Sequence, residues 1–90
     1  MKSNLTFFRK KIDGINSRIF YLISERIKIA RKIAKIKKEL GLKITDKRRE
    51  YEVMIKIGNI AKNKKINPKL SKKVFKDIIE LTKKEMRKIS

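Results

Sequence analysis

Residues 5–40 read LTFFRKKIDGINSRIFYLISERIKIARKIAKIKKEL, and the spacing of their apolar residues decides the fold. Leu5, Phe8, Ile12, Ile15, Ile19 and Leu22, then Ile29, Ile33, Ile36 and Leu40, recur at alternating steps of three and four, with Arg26 between the two groups. A seam of this kind predicts one long amphipathic helix of coiled-coil character. Gly41 follows the last seam residue and predicts a left-handed C-terminal cap.

Beyond Gly41, residues 43–52 read KITDKRREYE. Asp46 has the character of an N-cap, because its carboxylate can accept the unpaired N–H groups of a first turn. Lys47, Arg48 and Arg49 would then fill that turn, where the positive end of the helix dipole disfavours them. These cations are therefore expected to face something negative. Tyr51, Met54, Ile55, Gly58 and Ala61 mark the apolar side of this second helix. A third starts at Asn67-Pro68, a favourable cap and first-turn pair, and continues through Leu70, Val74, Phe75, Ile78, Ile79 and Leu81 towards Met86. No segment alternates like a strand. The expectation is a single all-α domain over 1–90, with helices at about 4–40, 46–63 and 68–87.

The first helix would be roughly 54 Å long and the later two about 27 Å each, at about 1.5 Å rise per residue. Two short helices cannot readily cover so long a seam, and an uncovered apolar seam invites self-association. The predicted architecture is accordingly an intertwined homodimeric helical bundle.

Composition limits the chemistry. The chain carries 28 Lys and Arg against 9 Asp and Glu, a formal net charge of +19 that calls for an anionic partner. With neither Cys nor His, it has no thiolate or imidazole for metal binding, disulfides or neutral-pH proton transfer. No metal and no cofactor are expected. MKSNLTFFRKKID lacks the apolar run of a signal peptide, and no stretch reaches membrane length, so a soluble cytoplasmic protein with no membrane partner is expected.

Arg26 is the most informative residue, because an unpaired charge on an inward position costs several kcal/mol, on the order of a buried polar group or more. It either pairs with a carboxylate and fixes register, or binds a ligand. Lys37 lies about 16 Å further along nearly the same face, so the two cations could converge on a small dianion. Asp46 and Glu50 fall on one face of the second helix beside Arg49, and Thr82 continues the inward row Phe75, Ile79, Thr82, Met86.

Read together, FFRKKIDGINSRIFYLISERIKIARKIAKIKKELGLKITDKRREYE (7–52) resembles the first half of the all-helical, AroQ-type chorismate mutases. Their pattern is an Arg before an I-D-x-I-D-like segment, then L-L-x-x-R, I-x-x-x-K and D-x-x-R-E. The resemblance runs on through the third helix, with F-x-x-I-I-E at Phe75–Glu80. The full spacing is specific, although no single piece of it is. It implies that Arg9 reaches across a dimer into the partner's site, that Arg26 binds a carboxylate, and that Lys37 contacts a carboxylate and the ether oxygen. Asp46, Arg49 and Glu50 would lie beside the substrate hydroxyl, with Glu50 accepting its hydrogen bond, and Thr82 takes a place often held by Ser.

The sequence departs from the pattern at Asn16, at Lys43 and, more seriously, at Met86, where the family commonly has a Gln that donates to the ether oxygen. Glu85 is adjacent but turned by about 100° on a helix, so only a register change would bring it in. The implied reaction, chorismate to prephenate in phenylalanine and tyrosine biosynthesis, is pericyclic and needs no nucleophile, metal or proton shuttle. Two alternatives stand beside it. One is an isochorismate pyruvate lyase on the same fold. The other is a basic helical nucleic-acid-binding protein, for which charge argues but no recognition motif does. Nucleic-acid binding is expected to be non-specific at most.

Overall fold

The structure, a computed structural model, describes residues 2–89. Three helices make up the chain in order: α1 (Lys2–Leu40), α2 (Lys47–Asn63) and α3 (Pro68–Arg87), and there is no strand among the described residues.

Local chemistry sets the helix ends. Gly41 takes a φ of 68°, and the N–H groups of Gly41 and Leu42 donate back to the carbonyls of Lys38 and Lys37 at 3.2 and 2.8 Å. This is a Schellman cap, which satisfies two carbonyls that α1 would otherwise leave open. Asp46 caps α2, its Oδ1 accepting from the Arg49 N–H at 3.0 Å. Asn67 does the same for α3, accepting from the Leu70 N–H at 2.9 Å, with Pro68 in the first turn.

α3 is the central element, packing on α2 along one side and on the C-terminal half of α1 along the other. α1 and α2 do not approach each other closely, and the space left between them opens as a cavity over α3. On α1 the small side chains Ala30 and Ala34 let Met86 of α3 come close, with Ile44 and Ile89 packed around them. On α2 the close-approach positions are Gly58 and Ala61, and the stem of Lys72 lies directly over Gly58.

The apolar seam is not what this contact uses. Every apolar seam residue from Leu5 to Leu40 is exposed in the single chain, and only Arg26 is partly buried. On the C-terminal half of α1 the helix bears two apolar stripes. Ala30 and Ala34 face α3, whereas Ile29, Ile33, Ile36 and Leu40 lie on a stripe turned by about 100°. Arg26 and Lys37 stand on the border between the stripes. Two further expectations change: Tyr51 is 68% exposed and Ile55 46% exposed, so the inner row of α2 is instead Glu50, Val53, Met54, Ile57, Gly58 and Ala61. Leu70, Val74 and Leu81 are also exposed, while the row Phe75, Ile79, Thr82, Met86 does turn inward.

Candidate active site

The space bounded by the C-terminal half of α1, the start of α2 and the end of α3 is a cavity of about 280 Å³. Arg26 and Lys37 enter from α1, Asp46, Arg49 and Glu50 from the cap and first turn of α2, and Thr82, Lys83 and Met86 from α3. Ile29, Ala30, Ile33, Ile44, Val53 and Ile79 complete an apolar wall.

Arg26 is built into place. Its Nη1 donates to the Thr82 hydroxyl, whose own proton goes to the Ile78 carbonyl at 2.8 Å. The hydroxyl is thus committed as an acceptor toward Arg26, so Thr82 orients the guanidinium. Burial lowers the Arg26 pKa from its ordinary value, and the nearby Arg49 guanidinium lowers it further. The group stays charged even so, since arginine titrates far above neutrality. Two cations held together and partly out of water make a site whose charge is relieved by a bound anion.

Lys37 donates from Nζ to the Ile44 carbonyl at 2.9 Å. One proton fixes the ammonium at the mouth of the α1–α2 loop, and two remain for a ligand. The cap at Asp46 also explains the misplaced-looking cations of 47–49. Arg49 lies on the cavity side, where it faces Arg26, while Arg48 points to solvent and reaches toward Glu52 at 3.9 Å. Four cations against two carboxylates line the cavity, a positive excess of two suited to a dianion.

Of the residues singled out from the sequence, Arg26, Lys37, Asp46, Arg49, Glu50, Thr82 and Met86 come together here. Arg9 does not: it lies on the exposed N-terminal half of α1, about 25 Å along the axis from Arg26 at about 1.5 Å per residue. Glu85 does not either. It faces away from the cavity, its Oε1 accepting from Arg31 at 2.6 Å and its Oε2 from Lys88 at 2.8 Å. The hydrogen bonds from Lys88 and Arg31 hold its pKa below the ordinary Glu value, so it is an ionised acceptor and not a protonated donor. No register change at the end of α3 brings it inward, and Met86 keeps the inward position with a thioether packed on Ala30 and Ala34.

Sequence reasoning missed Lys83. Its Nζ lies 3.4 Å from Glu50 Oε2 and 3.2 Å from Glu80 Oε1. In a chain this rich in lysine nothing distinguished it, save that it sits one turn before Met86 on the same face of the third helix.

The family model for type II chorismate mutases matches residues 8–87. A chorismate mutase of Methanocaldococcus jannaschii is 36% identical over 80 residues, which span 89% of this chain and 81% of that protein. No solved structure gives a significant match. A cationic cavity built from three helices at the family's motif positions and a match along nearly the whole chain agree, and the chain belongs to the type II chorismate mutase family.

Proposed function

We infer that this chain is an isomerase that rearranges chorismate to prephenate, in aromatic amino acid biosynthesis, at the cavity between α1, α2 and α3. The observation that carries the assignment of the site is the convergence of Arg26, Lys37 and Arg49 on one apolar-walled space, with Glu50 on the same rim.

The reaction breaks the ether C–O bond and forms a C–C bond in one concerted step, so the protein moves no proton and makes no covalent bond. Its work is of two kinds. It holds the enolpyruvyl side chain over the ring in the reactive conformer, an effect of positioning. It also meets negative charge growing on the ether oxygen with a donor already in place. Arg26, oriented by Thr82, suits a carboxylate through its planar fork. Lys37, tethered to the Ile44 carbonyl, is the donor to the ether oxygen and to a carboxylate. Glu50 accepts the ring hydroxyl, with Asp46 and Arg49 beside it.

The second carboxylate needs another cation, and Arg9 of the same chain is too distant to supply it. We assign that role to Arg9 of a second copy, in a homodimer whose α1 helices pack through their exposed seams. The bare stripe of Leu5, Phe8, Ile12, Ile15, Ile19 and Leu22 supports this assembly. As a biosynthetic enzyme the dimer is assigned to the cytoplasm; no helix among the described residues is long and apolar enough to cross a membrane.

The test is an assay of the purified protein with chorismate and, separately, isochorismate. Prephenate from the first and no pyruvate from the second is the expected result. Pyruvate release from isochorismate without prephenate formation would overturn the assignment.

A further inference from the structure

Among the ionisable groups of the cavity wall, Lys83 has no part in the roles above. Its position is unusual for a lysine. The side chain is only 12% exposed, although lysines normally keep the ammonium in water. The ammonium is strung between two carboxylates, Glu80 one turn earlier on α3 and Glu50 across the cavity on α2. Glu80 is half exposed, so it holds Lys83 from the solvent side, while Glu50 takes the end that enters the cavity. The hydrogen bond from Lys83 goes to Oε2 of Glu50, at 3.4 Å.

This arrangement answers a difficulty of the site. A carboxylate on a flexible side chain, placed among Arg26, Lys37 and Arg49, tends to pair with one of them. Such a pair would occupy a cation needed by the substrate's carboxylates, and it would turn the acceptor away from the hydroxyl. A dedicated cation on the opposite wall prevents both. We propose that Lys83 is a positioning residue that holds Glu50 off the substrate-binding cations by its Oε2 and presents Oε1 to the substrate hydroxyl. The inference rests on the reading of Glu50 as the hydroxyl acceptor.

The experiment is a double-mutant cycle of Lys83→Met and Glu50→Gln on the full chain, with kcat and KM for chorismate and thermal unfolding measured for each variant. Lys83→Met is expected to lower kcat/KM by roughly 10- to 100-fold, the usual loss when a supporting partner is removed. Lys83→Arg should recover most of it, because the charge is kept. In the Glu50→Gln background, Lys83→Met should cost almost nothing more, since its effect passes through Glu50. Losses that multiply would overturn the proposal, because Lys83 would then act without Glu50. Unchanged kinetic constants with a lowered Tm would also overturn it, leaving only a tie between α2 and α3. If Lys83→Met does not fold, Lys83→Gln runs the same cycle, keeping a donor but not the charge. Wild-type kinetics in Glu50→Gln would overturn the hydroxyl-acceptor reading itself, whereas an impaired Glu50→Gln beside an active Lys83→Met would overturn this inference alone.

Discussion

In the proposed mechanism the charge on the ether oxygen is met by one tethered side chain, Lys37. Its bond to the Ile44 carbonyl fixes an ammonium that would otherwise sample many rotamers. Removing it as Lys37→Ala should lower kcat by about 10²–10³-fold, as for other preorganised oxyanion donors, while circular dichroism stays helical. Lys37→Arg should fail as well, since a planar fork cannot put a point charge on one ether oxygen. Glu85 carries the opposite expectation. It is adjacent to the position where the family's Gln is missing, yet it is tied to Arg31 and Lys88 outside the cavity, so Glu85→Gln should leave turnover of chorismate nearly unchanged. Its folded pKa lies below its unfolded value, so its stabilising contribution is present above the ordinary Glu pKa of 4.5 and is lost as pH falls through the lower folded value. The difference in Tm between wild type and Glu85→Gln should therefore be visible at neutral pH and vanish in acid below that range. A difference that grows in acid would contradict the ion-pair assignment.

At the scale of the elements, caps do most of the local work, and one of them is strained. The C-terminus of α2 closes like that of α1: Lys65 and Ile66 donate to the carbonyls of Lys62 and Ala61 at 3.2 and 2.9 Å. The residue in the left-handed position is Lys65, with φ 58°, where α1 has Gly41. A side chain in that conformation costs about 1–2 kcal/mol, part of which glycine returns as greater freedom in the unfolded chain. Lys65→Gly should accordingly stabilise the fold by about 0.5–1 kcal/mol, read as a rise in Tm, whereas Lys65→Ala should not. The caps at Asp46, Asn67 and Gly41 were legible in the sequence because each depends only on the residue and its nearest neighbours. Which face of α1 meets α3 was not. The heptad seam outnumbers the alanine stripe in apolar bulk, but two alanines admit a closer approach of α3 than any row of isoleucines would.

The whole molecule is not compact as a single chain. Its radius of gyration is 16.6 Å, against about 12 Å for a compact domain of this length. Among the described residues the buried hydrophobic side chains are Ala30, Ala34, Ala61, Ile79 and Met86, a core too small to offset the conformational entropy of ordering three helices. A second chain packed along the α1 seam would supply the missing burial and bring the partner's cation to the site. Mixed dimers test this. Arg9→Ala and Arg26→Ala homodimers should each be nearly inactive, and unfolding and refolding them together in equal amounts should make half the dimers mixed. If each site takes Arg26 from one chain and Arg9 from the other, every mixed dimer holds one intact site. Recovery should reach about one quarter of wild-type activity, half the dimers times half their sites, because an antiparallel partner closes the gap of about 25 Å that one straight helix leaves. No recovery on mixing would overturn the assignment of sites shared between two chains.

By itself, the sequence determined the three helices, the caps at Gly41, Asp46 and Asn67, and seven of the residues that meet in the cavity: Arg26, Lys37, Asp46, Arg49, Glu50, Thr82 and Met86. Periodicity, capping chemistry and motif spacing are all properties of neighbours along the chain. Only the tertiary structure decided that Arg26 leaves the seam to be gripped by Thr82, that Glu85 belongs to Arg31 rather than to the cavity, and that Lys83 reaches Glu50. Each of those pairs joins different helices, across 56, 54 and 33 positions of sequence. Among 28 cations no local rule says which will be drawn inward. That choice is made where α3 settles on Ala30 and Ala34, because the close approach there sets which side chains of α1 and α2 its inner face meets.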